Sequence, residues 1–312
     1  MKAAVIAGSG GTVPRYQDWP DLTATAAHDR LQVLAAGMNH FTVMLATGQA
    51  HVRPPEQPWI PGADGVGLLA DGRRVFFDSA AVPQGAWAEH TVVAAGAWVP
   101  VPAGLSDAAA ASLGNAALAA YTALTSRARL AAGETVLVLG ATGVLGRVAV
   151  QVARALGAGR VVAAAPDSPR LHGLAALGAD AVVALDGPDV EQRLRAACAG
   201  GADVVIDSLW GAPAAVALRT VANGCRFVQV GQAAGPSTEL AAGVLRSRGV
   251  DLLGHGLLRC TPQVRHRAFT ELAALVLGGE VQLQYEVVPL AEVASGWERQ
   301  ANGPRTKLVL VP

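Results

Sequence analysis

The chain carries no excess of charge: 24 basic and 24 acidic residues balance over 312 positions. Without a field of one sign, nothing attracts the whole chain to nucleic acid or to an anionic membrane. Lysine is nearly missing. Lys2 and Lys307 are the only two, and every other basic residue is an arginine. This excludes a Walker phosphate loop, which needs a Gly-Lys step. Cysteine is scarce too. Cys198, Cys225 and Cys260 are odd in number and far apart, and there is no CxxC, HExxH or His-rich tract, so no metal cage can be read. Reduced cysteines in a cytoplasmic protein are the expectation. The opening MKAAVIAG has one lysine and an apolar run too short for a signal peptide. A long uncharged stretch, 108–126, is rich in alanine and interrupted by Gly114 and Asn115. It reads as a buried helix of a soluble protein rather than a membrane span.

What is present centres on ETVLVLGATGVLG at 134–146. Thr135 to Leu139 is a Val- and Leu-rich run without alternation, as in a strand buried on both faces. After Gly140 the period changes. Val144, Leu145, Val148, Val152 and Leu156 recur at helical spacing. Ala141, Gly143 and Gly146 occupy the spacing of a dinucleotide fingerprint with Ala in first place. The chemistry needs small residues there. A pyrophosphate must approach the backbone, helix and strand must pack closely, and the unpaired N–H groups of the first helical turn favour an anion.

From 134 to 230, strand and helix patterns alternate, as a doubly wound parallel sheet requires. Strands are expected at 160–165, 181–184, 203–206, 226–230 and 250–253. Before this lies a β-rich stretch of glycine-punctuated runs. After it, Thr261-Pro262 marks a helix start, and the chain ends in strands near 285–288 and 307–311. The fold expectation is α/β: a Rossmann-like doubly wound parallel sheet inserted into a discontinuous β-rich domain. The expected bounds are 1–114 for the first catalytic part, 115–254 for the nucleotide-binding domain and 255–312 for the second catalytic part.

The order of motifs resembles the medium-chain dehydrogenase/reductase superfamily, and within it the zinc-independent quinone oxidoreductases. The segments that carry the resemblance are AAGMNHFT (35–42), IPGADGVG (60–67), GAWAEHTVV (85–93), GETVLVLGATGVLG (133–146), LGADAVV (177–183), GADVVIDS (201–208) and PRTKLVLVP (304–312). They span essentially the whole chain and imply a GroES-like fold for the β-rich domain. In the zinc enzymes of the superfamily, ligands fall where this chain has Asn39 and Ala63, with Asp64 in place of the neighbouring Glu. No zinc is therefore expected. The chain also departs from the quinone-reductase pattern. His40 and Thr42 stand where Pro and Asp are usual, and Ala119 replaces a Thr near the nicotinamide.

An NAD site usually ends its second strand with an acid that accepts the ribose hydroxyls. Here that position is Ala165, and Arg170 falls where the resembled family has a basic residue against a 2′-phosphate. NADPH is the expected cofactor in preference to NADH. Asp167 is the complicating residue, because an inward carboxylate would favour NADH. The resemblance implies cofactor contacts at Asn39, Ala141, Thr142, Gly143, Val144, Leu145, Arg170, Gly231, Gln232, His255, Gly256, Leu257 and Lys307. Asn39, Thr42 and His40 are the expected catalytic residues. Asn39 and Thr42 serve as donors to a developing oxyanion, and His40 as one candidate proton source beside His255 and Tyr121. For both histidines a role-free loop position is an equal alternative, and Tyr121 reads first as a packing residue. Trp87, Trp210 and Trp297 read as packing before recognition.

The expected activity is NADPH-dependent, zinc-independent reduction of small conjugated carbonyls or quinones. A homodimer joined through the strand at 250–253 is implied by the resemblance. There are two rival readings. The short-chain reductases share a similar turn but need a Tyr-xxx-Lys pair, and the residues four after Tyr16, Tyr121 and Tyr285 are Pro20, Thr125 and Pro289. The other is an NADPH-binding protein of structural or regulatory role without turnover, which the altered Thr42 and Ala119 keep open.

Overall fold

The computed structural model describes residues 1–8, 11–50, 52–80 and 83–312. Two compact units emerge. One contains Met1–Ala116, Phe269–Ala273 and Leu283–Pro312; the other contains Ala117–Ala268 and Ala274–Gln282.

The first unit begins with β1 (Lys2–Val5) and β2 (Arg15–Asp18), paired antiparallel. Next come β3 (His28–Gly37), the short helix α1 (His40–Ala46), β4 (Gly65–Leu68), β5 (Arg74–Phe77), β6 (His90–Ala94) and β7 (Val99–Pro100). Helix α2 (Asp107–Ser112) follows, capped by Ser106: Ala109 N–H donates to its hydroxyl at 3.2 Å. The β-rich stretch expected before the parallel sheet forms these strands.

Helix α3 (Asn115–Thr122) leads into the second unit and continues as a π-helical turn at Ala123–Arg127. The uncharged 108–126 stretch, read as one helix, is thus two, α2 and α3, broken at Leu113 and Gly114, and most of its side chains are buried. Then come β8 (Thr135–Leu139), α4 (Val144–Ala155), β9 (Arg160–Ala165), α5 (Pro169–His172), β10 (Ala181–Ala184), α6 (Val190–Ala197), β11 (Ala202–Asp207), α7 (Gly211–Leu218), β12 (Val221–Gln229), α8 (Ala242–Arg248) and β13 (Asp251–Gly254). The six strands are all parallel in the order β10-β9-β8-β11-β12-β13. Chain order reverses between β8 and β11, and the crevice beyond their carboxyl ends is where ligands bind in such sheets. β8 and β9 are fully buried apart from their first residues, which explains their unbroken apolar runs.

Helix α9 (Pro262–Gly278) starts at Thr261, whose hydroxyl accepts from Val264 N–H. The sequence pattern put the return to the first unit at 255. Apart from Phe269–Ala273, the chain stays with the second unit until Gln282. Gln282 is tied there by both backbone groups: its N–H donates to Gln151 Oε1 of α4, and its carbonyl accepts from Gln151 Nε2. Strand β14 (Tyr285–Pro289), α10 (Val293–Ala301) and β15 (Lys307–Val311) complete the first unit. Its larger sheet runs β14-β15-β3-β4-β5-β7, with β6 also on β3. Trp87 and Trp297 meet edge to face inside this core, 6.0 Å apart, and both are packing residues there. No helix among the described residues is long and apolar enough to cross a membrane.

Candidate active site

The fingerprint turn lies at the carboxyl end of β8. Gly140 takes φ +77°, and a Cβ on Gly146 would sit 2.3 Å from the Gly140 carbonyl oxygen. The helix start therefore lies directly on the turn, and only glycine permits it. Gly143 is the N-cap residue of α4 and supplies no side-chain cap; the first turn carries no acid. Residues 142–145 are partly or fully open to solvent, while Ala141 and Gly146 are buried. The result is a backbone cradle at the positive end of a twelve-residue helix, with N–H groups that no side chain caps. A Cβ on Gly143 would meet nothing nearer than 3.4 Å, so that side is clear for a bulky anion.

The end of β9 carries the next determinants. Ala165 is fully buried and brings no carboxylate. Asp167 is exposed, and its Oδ1 lies 3.0 Å from His172 Nε2. Its carboxylate is thus engaged with a neighbour on α5. Arg170 lies in the first turn of α5. Arg147, one position beyond the last fingerprint glycine, adds a second guanidinium. It shares a face of α4 with Arg154, two turns on, whose guanidinium bonds to the Gly178 carbonyl and to Asp180. That face points to the segment following β9. Burial, and then the nearby Arg170, lower the Arg147 pKa. The sequence reading missed Arg147; its place directly after the fingerprint was the available signal.

At the ends of β11 and β12, Ser208 Oγ donates to the Leu139 carbonyl at 3.0 Å, and Gly231 N–H donates to the Asp207 carbonyl. Gln232 follows, exposed. Asp207 is fully buried and accepts from Leu209 and Trp210 N–H; burial raises its pKa to about 6. Trp210 holds φ +55°, unusual for a bulky residue, and its ring packs edge-on against Phe227.

After β13, Gly256 is exposed and Leu257 is buried. The His255 ring turns away toward α3. Its Nε2 lies 3.0 Å from the Thr122 hydroxyl, and it also bonds the Ala119 carbonyl. Burial, and then Arg127, lower its pKa. These two bonds to α3 make the ring a clamp on the loop. Tyr121 is buried in α3 as a packing residue.

In the first unit, Asn39, Asp64 and Lys307 are all buried and hydrogen-bonded as a chain. Asn39 Nδ2 donates to Asp64 Oδ1 at 2.5 Å, and Lys307 Nζ donates to Asn39 Oδ1 at 2.5 Å and to the Met38 carbonyl at 2.9 Å. Asn115 N–H donates to Asp64 Oδ2 at 3.3 Å. Burial pushes the Asp64 carboxyl up and the Lys307 ammonium down, and each counters the shift in the other. A Cβ on Gly114 would fall 1.7 Å from Asp64 Oδ2, so the carboxylate sits in a space only glycine leaves. Lys307, expected at the cofactor, has its ammonium inside this network instead. Thr42 is buried beside it in α1, and its N–H donates to the Asn39 carbonyl; His40, the first residue of α1, is exposed. Asp64 entered the sequence reading as a substituted neighbour of a ligand position, and its partnership with Asn39 was not foreseen.

The zinc-binding dehydrogenase family model matches residues 144–276, a stretch that excludes Asn39 and Ala63. A quinone oxidoreductase from Thermus thermophilus, crystallised alone and with NADPH, is 35% identical, with 100% of both chains covered and a TM-score of 0.82. The spectinabilin polyketide synthase system protein NorB of Streptomyces orinoci is 34% identical over 81% of this chain and 12% of its own length. A mycocerosic acid synthase-like polyketide synthase of Mycobacterium tuberculosis is 32% identical over 64% of this chain and 10% of its own. The chain thus spans about a tenth of the length of these curated relatives. Full-length likeness to the Thermus enzyme, together with the parallel six-stranded sheet and its fingerprint turn, places the chain in the quinone oxidoreductase branch of the medium-chain dehydrogenase/reductase superfamily.

Proposed function

We propose that the chain is an NADPH-dependent reductase of small conjugated carbonyls, enones or quinones, acting without zinc. The observation that carries the reading is the end of β9. It has no inward carboxylate, Asp167 is engaged with His172, and Arg147 on α4 and Arg170 on α5 feel one another's charge. A charge-assisted bond from either arginine to a 2′-phosphate is worth about 1.5–3 kcal/mol. The Thermus relative crystallised with NADPH supports the same choice.

The catalytic unit is the first, and the nucleotide-binding unit the second. Residues 141–145 hold the pyrophosphate, Arg147 and Arg170 the 2′-phosphate, and 231–232 and 256–257 the nicotinamide end. When bound, NADPH supplies the hydride. As electrons of the reduced double bond move onto the carbonyl oxygen, Asn39 donates its remaining amide N–H to that oxygen. Solvent water returns the proton. The zinc-free reading is supported by the residues themselves. Asn39 and Ala63 are poor ligands, and the Lys307 ammonium already occupies the Asn39 oxygen. Among the described residues no group of three His, Cys, Asp or Glu could hold a metal. Strand β13 is an edge strand with Leu252 exposed, which supports a homodimer paired through it.

The test is NADPH oxidation by chelator-treated protein with a panel of enones and quinones, beside binding titrations of NADPH and NADH. Turnover, with NADPH bound at least about tenfold more tightly than NADH, is expected. Tight binding with no turnover on any acceptor would overturn the enzymatic reading in favour of a binding role. Preference for NADH would overturn the cofactor assignment. Sedimentation as a monomer at micromolar concentration would overturn the dimer.

A further inference from the structure

Asn39 occupies the N-cap position of α1 with extended backbone, φ −129° and ψ 143°, yet its side chain makes no capping bond. Asparagine is among the best N-caps, and leaving that bond unmade costs helix stability. The amide is diverted to Asp64 and Lys307, which lie 25 and 268 positions away in sequence.

The chemistry of the partners fixes the amide. An ammonium offers only donors and a carboxylate only acceptors. Asn39 Oδ1 must therefore face Lys307 and Nδ2 must face Asp64; a flipped amide would set donor against donor and acceptor against acceptor. One Nδ2 hydrogen is then left outside the network, in a single direction. The ammonium on Oδ1 also withdraws electron density through the amide and strengthens that N–H as a donor. Burying a carboxylate and an ammonium is expensive, and a pair of apolar residues would stabilise the fold as well or better. An arrangement of that kind, seated in a gap that Gly114 leaves open, fits a device for orientation.

We propose that Lys307 and Asp64 are positioning residues for Asn39, locking its amide so that one polarised N–H is presented to the carbonyl oxygen of the substrate. This rests on the reading of Asn39 as the donor to that oxygen.

A double-mutant cycle tests it. The neutral replacement Asp64→Asn/Lys307→Met is made in the wild-type and Asn39→Ala backgrounds, with kcat, NADPH affinity and circular dichroism measured for each. In the wild-type background kcat is expected to fall about 10- to 100-fold, with NADPH affinity held within about twofold. In the Asn39→Ala background the same replacement should lower kcat no further. Equal losses in both backgrounds, or no loss in the first, would overturn the proposal while leaving the reductase reading intact. Absence of turnover in the wild type would overturn that reading, and this role with it. Should the double replacement fail to fold, Asp64→Asn alone carries the same cycle, because it removes one of the two partners that fix the amide and leaves Lys307 as the other.

Discussion

The two units build their polar sites in opposite ways. The fingerprint turn of the second unit is open, made of backbone N–H groups and flanked by arginines. The Asn39–Asp64–Lys307 chain of the first is closed, made of buried side chains. An open site is inexpensive to build, because water satisfies it until a ligand arrives, and it is selective mainly through charge. A closed site must satisfy its donors and acceptors from within, save the one it keeps for a ligand. In return it fixes direction, which an exposed group cannot do.

Glycine replacements should separate the two most sharply. Gly114→Ala puts a methyl 1.7 Å from Asp64 Oδ2, inside a packed and charged space. A loss of about 3 kcal/mol or more is expected in urea unfolding. Gly143→Ala at the open turn meets nothing nearer than 3.4 Å and should change stability by less than about 1 kcal/mol, while weakening NADPH binding. Comparable stability losses at both positions would erase the distinction.

Asp207 sharpens it from the other side, being a sealed carboxylate at the edge of the open crevice. Its folded pKa, about 6, lies above the ordinary carboxylate value, so the folded state holds the proton more tightly. Stability from this group is full below about pH 4 and declines as pH rises through about 6. The wild type should lose about 2–3 kcal/mol relative to Asp207→Asn between about pH 4 and pH 7, read from unfolding midpoints. A constant difference across that range would refute the assignment.

Next come the arginines. Arg147→Ala and Arg170→Ala should each weaken NADPH about 10- to 100-fold in fluorescence titration, with NADH affinity nearly unchanged. Equal effects on both nucleotides would move the arginines from the 2′-phosphate to the pyrophosphate. The smallest effect belongs to an open surface ion-pair cluster. Glu191 bonds Arg195 and Arg219 at the surface, and Glu191→Ala should alter thermal stability by no more than about 1 kcal/mol.

The open site was legible in the sequence for a physical reason. Turn, strand and helix start are contiguous, and each leaves a local mark: apolar run, glycine, change of period. β8, α4, β9, β10 and β15 therefore match expectation closely, and so does the cap at Thr261. The closed site leaves no such mark. Asn39, Asp64 and Lys307 are set beside one another by pairing of β15 with β3 and of β3 with β4, which no local pattern encodes. His255 shows the same limit. Its position after the sixth strand of the parallel sheet was readable, but the turn of its ring toward Thr122 is a tertiary fact.

The distance in sequence between Asn39 and Lys307 also sets an order of events. A ribosome making this chain releases every strand of the parallel sheet before Lys307 exists. The second unit can close on itself during synthesis. In the first, Asp64 must wait for its counter-charge until β15 is laid against β3. Chain growth, rather than contact energy, decides which unit is finished last, and a stalled or shortened product would carry a completed nucleotide fold beside an unsealed catalytic one.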